Sequence, residues 1–143
     1  MAASERRREV ELVLERARVW ASARTDVAAV ALVGSWARGD EGPGSDVDLV
    51  VLTDDPLAYT EGDDWVEALA PGASLVRTGD WDAVVERRLR LPTGLEVEVG
   101  VGRPEWATTA PVDSGTLRVA RGGFRIVHDP RGLLATLLEA ADS

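Results

Sequence analysis

Between Ser4 and Ser22 the apolar residues Val10, Val13, Leu14, Ala17 and Trp20 recur at spacings of three and four. That spacing predicts an amphipathic helix with one buried stripe and Ser4 as its N-cap. At Val27 the period changes. The run Val27–Val33, VAAVALV, is continuously apolar, rich in β-branched residues and stopped by Gly34, the pattern of a buried strand. A polar, glycine-rich stretch follows from Ser35 to Ser45. In Asp46–Leu52, DVDLVVL, Asp46 and Asp48 alternate with Val47 and Leu49 before the run turns apolar. This segment reads as a second strand with both carboxylates on one face.

Asp54–Pro56 breaks that strand. Asp63–Ala70 reads as a short helix and Ala73–Arg77 as a short strand. Val84–Leu91 and Leu95–Val101 flank Pro92-Thr93-Gly94, a hairpin signal. In its second arm Leu95, Val97, Val99 and Val101 point one way, and Glu96, Glu98 and Gly100 the other. Arg103–Pro111 reads as loop with a helical turn around Trp106, Ser114–Ala120 as helix and Phe124–Val127 as strand. After the turn Asp129-Pro130, Arg131–Ala141 predicts a closing helix with Leu133, Leu134, Leu137 and Leu138 inward. There is no repeat or linker, and 143 residues suit one domain. The expected class is α+β: a mixed β-sheet flanked by helices in a single domain, 1–143.

Composition narrows the chemistry mainly by what is missing. There is no cysteine and only one histidine, His128, which excludes thiol catalysis, disulfides and metal sites built from several imidazoles. All 16 basic residues are Arg. Without Lys there is no Walker A loop, no kinase-type ATP site and no lysyl-nucleotide intermediate. Phosphate chemistry here must use metal ions, backbone N–H groups, hydroxyls and Arg. A net charge of −9 disfavours duplex nucleic acid as a partner and suits a cationic partner or substrate. No apolar run approaches the roughly 20 residues of a membrane span. No signal-type apolar segment follows the charged N-terminus, so a cytoplasmic location is expected.

The informative segment is Gly34–Val51, GSWARGDEGPGSDVDLVV. A strand ends at Gly34, where the lack of a Cβ lets backbone approach a ligand closely. A helix beginning there would present free N–H groups to a triphosphate, with the Ser35 hydroxyl as a further donor. Two neighbouring carboxylates, Asp46 and Asp48, repel each other, and a divalent cation relieves the repulsion. Carboxylate oxygens with substrate phosphates are a Mg²⁺ ligand set. Among the bland positions, Arg87-Arg88-Leu89-Arg90 reads as charge decorating a strand edge, and His128 as structural or exposed. Trp20, Trp65, Trp81 and Trp106 read as packing residues. Trp36 stands inside the motif and could border a nucleotide.

Gly34-Ser35, ten residues, then Asp46-Val47-Asp48, with Arg38-Gly39, Ser45 and Leu49 around them, resembles the signature of the nucleotidyltransferase superfamily, the polymerase-beta-like fold. The spacing looks like that of minimal nucleotidyltransferases, which include antitoxins and relatives of aminoglycoside-modifying enzymes. The resemblance is close over Val27–Leu52 and looser to either side.

The resemblance implies a third metal carboxylate on a neighbouring strand. Family members usually carry Asp there, and the candidates here are Glu98 and Glu96. Glu98 is preferred because it lies mid-strand, away from the turn. Two Mg²⁺ ions would sit on Asp46, Asp48 and Glu98, with Glu98 also able to act as general base. Gly34, Ser35, Arg38 and Ser45 would hold the nucleotide, ATP or another nucleoside triphosphate. The implied reaction moves a nucleoside monophosphate, AMP from ATP as first candidate, to a hydroxyl of a small molecule or protein. A cationic small molecule such as an aminoglycoside is one acceptor. The alternative is an antitoxin that neutralises a partner toxin protein by modification or binding.

Overall fold

The computed structural model describes residues 2–81, 84–109 and 111–142. Helix α1 (Ala3–Ser22) buries Val10, Val13, Leu14, Ala17, Trp20 and Ala21, the stripe its spacing predicts. Ala2 occupies the N-cap and offers no side-chain hydrogen bond, so Ser4 lies inside the first turn and not at the cap. Strand β1 (Val27–Val33) is buried along nearly its whole length. In β2 (Val47–Thr53) only Asp48 is not fully buried, and Asp46 precedes the strand by one residue. The other strands are β3 (Ser74–Trp81), β4 (Val84–Arg90), β5 (Glu96–Gly102) and β6 (Phe124–His128).

The six strands form one mixed sheet in the order β3-β4-β5-β2-β1-β6. β2 and β5 run parallel, and the other neighbours are antiparallel. On one face Val30, Leu32, Val47, Leu49, Leu89, Val97 and Val99 pack with Val13 and Trp20 of α1 and Trp65 of α4 (Trp65–Leu69). On the other face Ala29, Ala31, Val50 and Leu52 meet Ala107, Ala120, Leu134 and Leu137. Those partners come from a 3-10 turn at Pro104–Ala107, α5 (Ser114–Arg121) and α6 (Leu133–Ala141). This second cover lies over β1 and β2. Beside it, β5 and β4 present Glu96, Glu98, Arg88 and Arg90 on the same face of the sheet.

The structure corrects several expectations. β4 lies between β3 and β5, so the Arg87–Arg90 run decorates no sheet edge. Arg87 is buried and donates from Nη1 to the carbonyls of Tyr59 and Gly62. Tyr59 belongs to a one-turn helix, α3 (Leu57–Thr60), which follows the Asp54–Pro56 strand break in a stretch where the sequence predicts no element. β3 runs to Trp81, beyond the expected Arg77. α6 begins at Leu133 instead of Arg131, because Gly132 takes a left-handed conformation, φ +71°. The Asp129 carboxylate accepts from the N–H groups of Leu134 and Ala135 there. Within α6 it is Leu134 and Leu137 that are buried, with Leu133 and Leu138 packed at the margin. Trp20 and Trp65 are core residues and Trp36 and Trp106 pack partly buried against it. The side chain of Trp81 and position 110 of the Arg103–Pro111 loop lie outside the described residues.

Candidate active site

The turn that follows β1 has a conformation only glycine adopts readily: Gly34 has φ +79° and ψ −154°. The helix it starts, α2 (Ser35–Arg38), is a single turn. The N–H groups of Ala37 and Arg38 close on the Gly34 carbonyl at 3.1 and 3.0 Å, which leaves the first N–H groups of the turn outside the helix's own bonding. A Cβ built on Gly34 would stand 2.7 Å from Asp48 Oδ2. The two halves of the motif therefore touch: the Asp48 carboxylate lies directly against the glycine turn.

The parallel register of β2 and β5 sets Asp48 beside Glu98. Asp46 lies two residues before Asp48 in the same direction, as Glu96 lies before Glu98. The β4–β5 register sets Arg88 opposite Glu98 and Arg90 opposite Glu96. Arg88 Nη1 donates to Asp46 Oδ2 at 2.8 Å and to Glu96 Oε1 at 2.7 Å, and Nη2 lies 2.9 Å from Glu98 Oε1. Arg77 of β3 reaches Glu98 at 3.0 Å, and Arg90 reaches Glu96 at 2.7 Å.

The electrostatics follow from this crowding. Burial pushes the Asp48 carboxyl up to about 6, with the charges of Glu98 and Asp46 adding to the shift and Arg88 opposing it. Burial also acts to raise Glu98, but its hydrogen bonds with Glu86, Arg88 and Arg77 outweigh that and hold it below the usual carboxylate range. Hydrogen bonds from Arg88 and Arg90 lower Glu96. Arg88, bonded to Asp46, Glu96 and Glu98, is held still more firmly protonated than an ordinary guanidinium.

Asp46, Asp48 and Glu98 offer the hard oxygen donors that a magnesium-type ion takes, and the raised Asp48 marks a spot where added positive charge is stabilising. In chemical kind the donor set fits a divalent cation. In this conformation the Arg88 guanidinium stands among the carboxylates. Among the described residues no three carboxylate or imidazole groups converge as a metal cluster.

The remaining motif residues brace the surrounding loop. Ser45 Oγ accepts from the Gly42 N–H at 2.8 Å. The Trp36 indole N–H donates to the Ser45 carbonyl at 3.3 Å. Arg38 donates to the Asp40 carboxylate and, at 2.7 Å, to the Gly122 carbonyl before β6. Gly123, φ +108°, lets this approach happen, because a Cβ there would fall 2.3 Å from Arg38 Cγ. Trp36 lines a cavity of about 400 Å³ with Arg6, Arg7 and Pro43. A neighbouring cavity of about 240 Å³ runs from Arg6 and Pro43 to Asp46 and Glu96. His128 is half-buried on β6, and burial lowers its pKa.

The family model for a nucleotidyltransferase domain matches residues 14–98. The chain belongs to the nucleotidyltransferase domain family. The match takes in the Gly34-Ser35 turn and Asp46-Val47-Asp48, and it ends at Glu98. Among solved structures, this nucleotidyltransferase domain resembles a cytoplasmic RNA terminal U-transferase, with 20% identity and a TM-score of 0.56 over 85% of this chain and 33% of that one. It is also similar to terminal uridylyl transferase 4 from Trypanosoma brucei, solved with UTP and UMP. There the identity is 14% and the TM-score 0.42, over 92% of this chain and 38% of that one. The first likeness shows a shared fold. The chain spans roughly a third of the length of these transferases. No curated protein gives a significant match. No described helix is long and apolar enough to cross a membrane.

Three residues of this candidate site escaped the sequence reading: Arg88, Arg77 and Glu86. The signal for Arg88 and Glu86 was present in the hairpin. A turn at Pro92-Thr93-Gly94 with Arg90 opposite Glu96 puts Arg88 opposite Glu98 and Glu86 opposite Gly100, all on the polar face of β5.

Proposed function

We propose that the chain transfers a nucleoside monophosphate from a nucleoside triphosphate, with ATP as the first candidate donor, to a hydroxyl group on a small-molecule or protein acceptor. One observation carries this reading. The Asp48 carboxylate lies against the Gly34 turn on one side and beside Glu98 on the other, so a phosphate-accepting backbone and a carboxylate set share one place.

Asp46, Asp48 and Glu98 would hold divalent metal, which when bound neutralises triphosphate charge and activates the acceptor hydroxyl. The first N–H groups of the α2 turn and the Ser35 hydroxyl donate to phosphate oxygens. The new bond joins the acceptor oxygen to the α-phosphorus, the α–β phosphoanhydride bond breaks, and pyrophosphate leaves. The hydroxyl proton goes to Glu98. Its lowered pKa keeps it ionised at neutral pH, at the expense of basicity. Arg38 and Ser45, already bonded to Asp40, Gly122 and Gly42, act by shaping the loop that carries the nucleotide. The −9 charge of the chain favours a cationic or neutral acceptor over a polyanion.

The test supplies each of the four α-labelled ribonucleoside triphosphates with Mg²⁺ or Mn²⁺, a panel of hydroxylated amines including aminoglycosides, and a cell extract as protein source. Label transfer lost in Asp48→Asn supports the reading. A preference for UTP would correct the donor. No label transfer and no metal-dependent triphosphate binding would overturn the proposal.

A further inference from the structure

Arg88 is the central cation of the site, and it lies outside the Gly34–Asp48 segment. One guanidinium bonds three carboxylates on two separate chain segments: Asp46 before β2, and Glu96 and Glu98 on β5. Its side chain is 18% exposed, whereas Arg77 and Arg90, which reach Glu98 and Glu96 from outside, are 60% and 56% exposed. β4 is paired on both sides, so the backbone beneath Arg88 is fixed and only the side chain is free to move. We propose that Arg88 is a built-in counter-ion, which holds Asp46 and Glu98 in place while no divalent ion is bound and swings away when one binds. This rests on the reading of Asp46, Asp48 and Glu98 as metal carboxylates.

Three features favour displacement over a permanent structural bridge. The oxygens that Arg88 holds, Asp46 Oδ2 and Glu98 Oε1, belong to the side chains a divalent ion would use, and two cations drawn to the same oxygens repel. The seat is incomplete, because Arg88 Nε is enclosed from solvent with no hydrogen-bond partner, so leaving it sacrifices fewer bonds than a full set. The glutamates also keep partners once Arg88 has gone: Arg77 remains on Glu98 and Arg90 on Glu96. The arginine thus preorganises the carboxylates against their mutual repulsion and competes with the ion that replaces it. Arg88 is on this account a positioning residue, and its signature is in metal affinity.

The experiment titrates Mn²⁺ into the full chain, with free Mn²⁺ followed by electron paramagnetic resonance, in wild type, Arg88→Gln, Arg77→Gln and Asp48→Asn. Arg88→Gln should bind Mn²⁺ about tenfold more tightly than wild type, as removal of a close like charge implies, while Arg77→Gln changes it much less. Asp48→Asn should weaken binding. Unchanged or weaker affinity in Arg88→Gln, with wild-type binding that Asp48→Asn weakens, overturns the counter-ion role and leaves the metal reading standing. No Mn²⁺ binding in any form overturns both. If Arg88→Gln fails to fold, Mg²⁺ titration of wild type with ¹⁵N-labelled arginine decides. Loss of restricted rotation at the Arg88 guanidinium on saturation supports the proposal. A guanidinium still immobilised at saturation overturns it.

Discussion

Gly34 and Asp48 are packed so closely that a Cβ on Gly34 would lie 2.7 Å from Asp48 Oδ2. The glycine thus has a role before any nucleotide is considered: it leaves room for the carboxylate. Its backbone adds a second requirement, since φ +79° with ψ −154° suits glycine almost alone. Gly34→Ala should cost about 1–3 kcal/mol from backbone strain alone, read as a lower urea midpoint. It should also push Asp48 off the turn and weaken Mn²⁺ binding. A variant as stable as wild type, with unchanged metal affinity, would show that the turn relaxes and that the contact is dispensable.

Asp48 makes its own contribution to the pH dependence of the metal-free protein. Its pKa rises from 3.8 to about 6 on folding, chiefly by burial and then by Glu98 and Asp46. The folded chain therefore binds this proton more tightly than the unfolded chain. The sign is fixed by that difference: the contribution of Asp48 to stability is full below about pH 4, falls as pH rises, and is lost above about pH 6, opposite in sign to the contributions of Glu96 and Glu98, whose pKa values are lowered. A shift of this size corresponds to roughly 3 kcal/mol, and partial exposure reduces it to about 1–2 kcal/mol. Asp48→Asn should be more stable than wild type by that amount at pH 7 in chelator and should lose the advantage near pH 4. Urea melts at pH 4, 5, 6 and 7 decide; parallel pH profiles for the two proteins would show that Asp48 is not strained.

Arg87 and Arg88 are adjacent and serve opposite faces. Arg87 points into the α1–α4 layer and holds the Tyr59 and Gly62 carbonyls at 2.8 and 3.1 Å, bracing the stretch beside the Trp20–Tyr59–Trp65 ring cluster. Arg87→Ala leaves those carbonyls without their donor and opens a cavity, so it should destabilise by about 2–4 kcal/mol. Divalent affinity should barely change, because the side chain is on the other face. Thermal melts beside a Mn²⁺ titration test both halves, and a large affinity change with little loss of stability would place Arg87 in the wrong role.

Elements with one clean period were readable in the sequence. α1 shows its stripe, and the change from Asp-Val alternation to an apolar run marked β2 and the place of the candidate carboxylates. The hairpin turn correctly placed Glu96 and Glu98 on one polar face. What escaped has physical reasons. α3 is four residues long, too short to show a helical period or to form without tertiary packing. Among residues 74–80 of edge strand β3 all are exposed except Gly79, which is half-buried, so the strand carries no alternation. α2 is one turn and has no stripe of its own. Arg88 was hidden by its neighbours, since Arg-Arg-Leu-Arg looks like surface charge until cross-strand register separates the buried Arg87 from the Arg88 that bonds the carboxylates.

Ser35 separates a local role from a functional one. Gly34, not Ser35, is the N-cap of α2, and no side-chain capping bond is made there. The serine side chain therefore contributes little to the turn, and Ser35→Ala should leave stability within about 0.5 kcal/mol of wild type. If the hydroxyl donates to a triphosphate oxygen, the same change should weaken metal-dependent ATP binding by about 1.5–3 kcal/mol, the range for a hydrogen bond to a charged group, or roughly tenfold to a hundredfold in Kd. Ser35→Thr keeps the hydroxyl and should recover most of that loss. Calorimetric titration of ATP with Mg²⁺ into the three proteins, beside their melting curves, reads both quantities. Unchanged ATP affinity in Ser35→Ala would remove the phosphate contact from Ser35 and leave the backbone N–H groups of the turn as its only donors.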